Sequence, residues 1–433
     1  MAGRPLCGKQ KAELPATVLN VAAFAVTLQR GRTLGPHLES TTTTHGHGKR
    51  PWTWGTAMTT LVRSVLVVGG GFSGMSAAIE LRKRGIAVDL VEIDPDWRNY
   101  GAGISIGGPT LRAFGTLGVL ERFLAEGYAC DGLDVFDAAG NLLTQVPTPR
   151  IAGDDVPGSG AVMRPVLAKI LADATRASGT SVRLGCTVLD LRQDANGVEV
   201  DFSDGRQHRY DLVIGADGLY STMRERLIPE APRPRYSGQG VWRAVLPRPQ
   251  HITHTLLWVG PNLKVGLNPV SQQEMYLFVN EDRPLNDYVP PERFLPLLRG
   301  LLERFDAPEV RHAASQLNEH SLVVFRPLEG LLVPQPWYRG RVVLIGDTVH
   351  ATTPHLASGA CIGIEDAIVL AEELACGTSL EGALAAFQQR RWERCRLVVE
   401  NSARLGEIEI GGGDKQEHAR IMHESFHALA QPI

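Results

Sequence analysis

The 433-residue sequence predicts an α/β fold: an open sheet with helices, a second β-rich lobe inserted into it, and helices toward the C-terminal end. Three observations lead there. Ser64 to Glu92 reads as strand, glycine-rich turn, helix, strand and terminal acid. Two later buried-type strands, Leu212 to Ile214 and Val342 to Ile345, each run into a turn that carries an aspartate, Asp217 and Asp347. Between those strands lie Ser237 to Val245, Thr255 to Leu267 and Met275 to Val279, with the alternation of half-buried strands.

The front stretch, SVLVVGGGFSGMSAAIELRKRGIAVDLVE, is a dinucleotide fingerprint in a Rossmann-like context. An apolar strand, Val65 to Val68, enters the turn. Gly69 permits its sharp course, Gly71 lets the backbone approach a pyrophosphate, and Gly74 lets the helix from Met75 to Arg84 pack against the strand. Glu92 then ends the strand Ala87 to Val91, where an acid can accept hydrogen bonds from a ribose. The fingerprint leaves FAD and NAD open.

Asp217-Gly218 follows the third strand, with a helix start carrying Ser221 and Arg224. The fourth strand ends in Gly346-Asp347, passes Pro354 and restarts as a helix near Ser358 or Gly359, with Ile362, Ile364, Ala367, Ile368, Leu370, Ala371 and Leu374 at helical spacing. Its N-terminus faces back toward an acid at the strand's end, a combination suited to a polar ligand. An ordinary strand, turn and helix reads the same way.

Composition bounds the rest. A net charge of −3 with 21% charged and 43% hydrophobic residues gives no reason to expect nucleic acid or a membrane surface as partner. Six scattered cysteines without a Cys-x-x-Cys pair argue against a metal site and a disulfide framework, and suit a reducing, cytoplasmic location. Residues 1–57 differ in composition. Their apolar run Val18 to Leu28 is shorter than the about 20 residues a membrane span needs. A disordered leader or an over-extended start is favoured over an export signal, with organised sequence from Met58.

The glycine fingerprint at Gly69 to Gly74, Gly-Ala-Asp-Gly at Gly215 to Gly218, and Gly-Asp-x-x-His-x-x-x-Pro at Gly346 to Pro354 together resemble the three motifs of the single-component, group A flavoprotein aromatic hydroxylases, the para-hydroxybenzoate hydroxylase fold. The resemblance covers roughly Val62 to Arg404, and Gly101 to Val119 with Met163-Arg164-Pro is similar to the salicylate hydroxylase and 6-hydroxynicotinate 3-monooxygenase branch. It implies an FAD-binding domain of the glutathione reductase type, formed by 58–130, 166–231 and 331–405, with a substrate domain from 131–165 and 232–330 and a C-terminal tail, 406–433.

The resemblance further implies bound FAD and a transient NADH or NADPH. O2 would react to give a flavin C4a-hydroperoxide that hydroxylates a small, electron-rich aromatic or heteroaromatic substrate, in a monomer or homodimer. Arg164 would contact FAD, Asp217 would serve FAD and NAD(P)H, and Asp347 would bind the ribityl chain. Pro354 would lie beside the isoalloxazine, and the helix from Gly359 and Ala360 would point its N-terminus at the flavin N1 and C2 carbonyl. Tyr236, in RYSG, would touch substrate. Two positions depart from relatives: Leu356 to Ala360 replaces a Gly-Gln-Gly loop, and Ser105 stands where the hydroxynicotinate branch has a histidine base. Tyr236 and His355 are therefore the candidate catalytic groups, with His350 read as structural. Arg243 either points inward to a substrate carboxylate or lies exposed on an edge strand. The alternative activity is a flavin-dependent oxidase, or a tailoring oxygenase of the same fold acting on a larger aromatic natural product.

Overall fold

The computed structural model describes residues 61–98 and 101–433. The expectations for the leader and for a start at Met58 lie outside the described residues. A six-stranded sheet has the order Tyr338–Arg339, Val342–Leu344, Leu212–Gly215, Ser64–Val68, Ala87–Glu92, Ser181–Leu184, parallel except for the first strand. Ser64–Val68 is central, and Val65, Leu66, Val67 and Val68 are at most 3% exposed, as expected of a strand covered on both faces. On one side pack the fingerprint helix Phe72–Lys83 and the helix Gly359–Cys376. The three-stranded sheet Val188–Gln193, Val198–Phe202 and Gln207–Tyr210 contributes Val198, Val200 and Phe202 to the same core.

Register brings the two aspartate turns to the fingerprint. Val68 pairs with Gly215, and Gly215 with Leu344, so the three strands end side by side and release their turns at one sheet edge. This is where an open α/β sheet binds ligands. The fingerprint helix begins at Phe72, three residues ahead of the sequence expectation, with Gly71 as its N-cap.

A seven-stranded sheet faces that edge, in the order Val324–Gly330, Arg235–Pro247, Glu274–Asp282, Leu263–Pro269, Thr255–Gly260, Leu133–Asp137, Leu142–Val146. The run Thr255 to Leu267 is a hairpin rather than one strand: Asn262, at φ 55°, turns the chain. Alternation then divides the sheet by face. Trp242, Ala244, Leu277 and Val279 join a core with Leu298 and Leu302 of the helix Phe294–Leu302. Val241, Arg243, Tyr276, Phe278 and Asn280 face the opposite way, toward the first sheet. Ser159–Met163 instead pairs with Gly103–Gly107 and Tyr128–Cys130 in a small sheet of its own.

The segment read as a C-terminal tail is helical. Leu380–Gly411 is a 32-residue helix closed by Gly412 at φ 60°, and Lys415–Ala430 is a further helix capped by Asp414, whose carboxylate accepts from the Gln416 N–H at 2.7 Å. Its buried Ile421, Ser425 and Leu429 recur every fourth residue, the stripe of a docked helix. No described helix is long and apolar enough to cross a membrane.

Candidate active site

A cavity of about 380 Å³ lies between the sheet edge and the seven-stranded sheet. From the first sheet it is lined by Gly71, Phe72, Ala216, Gly218, Asp347, Pro354, Gly359 and Ala360, with Arg164 beside them; from the second come Val241, Arg243, Tyr276, Phe278 and Asn280. Residues from all three sequence motifs thus meet in one space.

Two glycines of the fingerprint do different work. A Cβ on Gly74 would stand 2.0 Å from the Gly69 carbonyl oxygen, so that position secures the close approach of helix to strand. A Cβ on Gly71 would meet no protein atom within 4 Å and would project into the open space at the helix N-terminus. Gly71→Ala is therefore expected to leave the unfolding midpoint of the apoprotein unchanged while weakening FAD binding at least tenfold, whereas Gly74→Ala lowers the midpoint as well. Flavin titration beside thermal unfolding checks both; an alanine at Gly71 that keeps full FAD affinity contradicts the reading.

Asp347 is exposed, and its side chain opens onto the cavity rather than into the protein core. Desolvation by the surrounding cavity walls raises its pKa, and His350 and Arg164 oppose the rise. Its backbone is fixed from behind. The Asp366 carboxylate accepts from the Gly346 N–H at 2.9 Å, pairs with His350 Nε2 at 2.5 Å, and accepts from Arg391 Nε at 2.8 Å. Arg391 also donates to Glu365 at 3.1 Å, and Arg394 donates to Glu365 at 2.7 Å. Asp366, His350 and Arg391 are fully buried. Burial alone would raise the Asp366 pKa, but His350 and Arg391 pull it down to about 2; the Asp366 charge in turn holds His350 well above its usual value against burial. His350, Asp366 and Cys395 lie close enough together to suggest a metal. The Arg391 guanidinium, which reaches both Asp366 and the Cys395 sulfur, already supplies positive charge there.

The Asp217 turn is bracketed to the same loop. Its carboxylate accepts from Ser221 Oγ at 2.5 Å and from the Met223 N–H at 3.0 Å, capping the helix Thr222–Leu227, so it turns away from the cavity that its neighbours Ala216 and Gly218 line. The Gly218 N–H donates to Thr348 Oγ1 at 3.1 Å, and Arg224, 3% exposed, donates to the Thr348 and Leu219 carbonyls at 2.9 Å each. Glu92 accepts from the Gly70 N–H at 2.6 Å and the Asp94 N–H at 2.8 Å, tying strand end to glycine turn outside the cavity wall.

The substrate-side candidates sit elsewhere than expected. Tyr236 is not on the cavity wall: it lies beside the register shift between Tyr236 and Gly240, and its hydroxyl donates to the Arg283 carbonyl at 2.5 Å. His355 is also off the wall, with its side chain 1% exposed, its Nδ1 2.9 Å from Thr353 Oγ1 and its Nε2 3.3 Å from Glu409. Tyr236 thus lies against the segment at Arg283, and His355 against the C-terminal helices, rather than on the wall lined by the three motifs. Ser105 does line the cavity and accepts from Asn268 Nδ2 at 2.7 Å.

Arg243 takes the inward course. Its strand is covered on both edges, by Val324–Gly330 and Glu274–Asp282, and its Nε donates to the Tyr276 hydroxyl at 2.9 Å. The hydroxyl oxygen being occupied as acceptor, its proton is free to be donated into the cavity. Tyr276 and Asn280 were missed as site residues, although alternation in the sequence Met-Tyr-Leu-Phe-Val-Asn puts Tyr276, Phe278 and Asn280 on the face of Val241 and Arg243. Arg164 lies 5.5 Å above the Phe72 ring; burial and the nearby Arg243 charge lower its pKa, and Asp347 opposes them.

These features fit FAD. Open backbone at Gly71 suits a pyrophosphate, Asp347 offers an acceptor for ribityl hydroxyls, and the N-terminus of the 18-residue helix Gly359–Cys376 opens onto the cavity, where it can stabilise negative charge.

Comparison with known proteins agrees. The family model described as "FAD binding domain" matches residues 63–402. The chain is 32% identical over 350 residues to the aurachin C monooxygenase/isomerase of Stigmatella aurantiaca, covering 80% of this chain and 89% of that one. It is 32% identical over 357 residues to a 2-heptyl-3-hydroxy-4(1H)-quinolone synthase of Pseudomonas aeruginosa, covering 80% and 90%. Among solved structures, Klebsiella pneumoniae HpxO complexed with FAD and uric acid superposes with a TM-score of 0.75 at 25% identity, over 85% of this chain and 97% of that one. An intact fingerprint, a shared ligand edge and these matches along most of the chain lead to one conclusion: it belongs to the FAD-binding-domain family of FAD-dependent monooxygenases and hydroxylases.

Proposed function

We propose that this protein is an NAD(P)H-consuming monooxygenase that hydroxylates a small, electron-rich aromatic or heteroaromatic molecule. The Arg243–Tyr276 pair carries the reading, because it places two hydrogen-bond donors on the wall opposite Asp347, Pro354 and the helix N-terminus. FAD, when bound, supplies the electron relay from NADH or NADPH and the activation of O2. The chain supplies binding, orientation and exclusion of water. Val241, Phe278 and Leu328 offer apolar surface for a ring, while Arg243 and the Tyr276 hydroxyl grip a ring oxygen or carboxylate and favour its anionic form. An ionised ring hydroxyl makes the ring the better nucleophile. Names of the relatives above carry a quinolone and uric acid, both nitrogen heterocycles, which supports a heteroaromatic substrate.

The test is an NADH and NADPH oxidation screen against hydroxylated aromatic, pyridine, quinolone and purine compounds, with hydrogen peroxide measured alongside. Coupled turnover with one class supports the proposal, and peroxide matching all NAD(P)H consumed with every class refutes it. With a substrate in hand, Tyr276→Phe is expected to lower product formation about 10- to 100-fold at unchanged FAD content, the effect of about 1–3 kcal/mol from one lost hydrogen bond. Tyr236→Phe should leave it within twofold. The reverse pattern would restore the role the resemblance gives Tyr236.

A further inference from the structure

Glu409 lies near the end of the helix Leu380–Gly411, beyond the 63–402 match to the family, with its side chain 9% exposed. Three basic side chains from three parts of the molecule meet its carboxylate. Lys264, from the strand Leu263–Pro269 of the seven-stranded sheet, donates to Oε1 at 2.5 Å, and His418, from the last helix, is 3.2 Å from the same oxygen. His355, from the short turn Pro354–Leu356, brings its Nε2 to 3.3 Å from Oε2 at an angle that makes no hydrogen bond, and its Nδ1 lies 2.9 Å from Thr353 Oγ1. Burial would raise the Glu409 pKa, yet Lys264 and His355 hold it well below the usual carboxylate range.

His355 is flanked by cavity wall. Thr352, Thr353 and Pro354 before it and Ala357, Ser358, Gly359 and Ala360 after it all line the cavity. Leu356, 1% exposed, packs with Leu405, Ile408 and Ile421 of the two last helices. Gly406 is what allows the ring so close, since a Cβ there would stand 3.0 Å from the His355 ring. One loop is therefore held from outside the cavity by an apolar cluster, with the Glu409 carboxylate 3.3 Å from its histidine.

We propose that Glu409 is a positioning residue for the cofactor, acting through His355 to fix the loop Thr352–Ala360 against the C-terminal helices and the seven-stranded sheet. The proposal rests on the assignment of this cavity to FAD. A carboxylate held this deep keeps its charge only while its partners stay in place, and removing that charge leaves Lys264 without its counter-ion and changes the group against which the His355 ring rests. The loop then loses the contact that sets its position, and groups aimed at a ligand lose their aim with it.

The experiment measures FAD dissociation constants and flavin release rates for the full chain and four variants. Glu409→Gln is expected to raise the FAD dissociation constant at least fivefold and to speed flavin release. In a His355→Ala background the same substitution should change it less than twofold, because the relay is already broken. Arg404→Ala is the control: it breaks an exposed pair with Glu417 between the same two helices and should leave FAD affinity unchanged. Should Glu409→Gln not accumulate as folded protein, Lys264→Met, at a position 22% exposed, tests the same carboxylate and should raise the dissociation constant in the same direction. An unchanged dissociation constant in either variant, or fully additive effects of Glu409→Gln and His355→Ala, overturns the proposal. A protein that binds FAD with this pattern but hydroxylates no aromatic compound would sink the proposed function and leave this inference standing.

Discussion

Asp366→Ala is expected to destabilise the protein by about 3–5 kcal/mol, the cost of removing one partner from a buried ion pair and stranding the others. The stranded groups are Arg391 and His350, both 0% exposed, and the Gly346 N–H loses its acceptor. Because that N–H precedes Asp347, flavin content should fall along with stability. Chemical denaturation of the flavin-bound protein measures the first effect and the absorbance ratio of flavin to protein the second. A loss under about 1 kcal/mol would show that the cluster repacks around the gap.

The pH dependence follows from the same cluster. The Asp366 pKa is lowered on folding, so its contribution is fully present above the usual carboxylate pKa of about 4 and is lost as pH falls through about 2. The His350 pKa is raised, so its contribution is present below about 6.5 and is lost only as pH rises through its higher folded value. Stability of the wild type relative to Asp366→Asn should therefore hold from pH 7 down to about 4 and shrink below it. Urea unfolding across that range checks the sign.

Arg243→Met carries the largest expected effect on catalysis. Its guanidinium bonds through Nε to the Tyr276 hydroxyl, and no carboxylate among the described residues is shown paired with it. A bound oxyanion would be its partner, and truncating one side of such a pair costs about 2–5 kcal/mol. The kcat/KM for the hydroxylated product should fall about 10²-fold or more at full FAD occupancy, and Arg243→Lys should recover part of it, limited by the lost planar fork. Turnover of Arg243→Met close to wild type would place the substrate anion elsewhere in the cavity.

What could be read in advance follows from how local each feature is. The fingerprint turn depends on glycines within six residues, and its chemistry is written in their spacing. Asp347 and the helix after it were legible for the same reason. Arg243 was not, because alternation gives its face but not what that face packs against, and the strand that covers its edge, Val324–Gly330, arrives some eighty residues later. Tyr236 is placed at the substrate by the resemblance alone; it lies beside a register shift, with its hydroxyl on the Arg283 carbonyl, a long-range contact that local sequence does not disclose. C-terminal helices were expected, but their docking was not legible: Leu405, Ile408 and Ile421 meet Leu356 of the cavity loop only after the chain has turned at Gly412, within a segment read as a tail.

The most direct test of the central claim is the fate of labelled oxygen. The FAD-loaded protein, NADH or NADPH and the substrate found in the screen would be incubated under 18O2 and the aromatic product weighed by mass spectrometry. The account predicts one 18O atom per product molecule, with one NAD(P)H oxidised for each. Product carrying oxygen from water, or 18O recovered only as hydrogen peroxide, would contradict it.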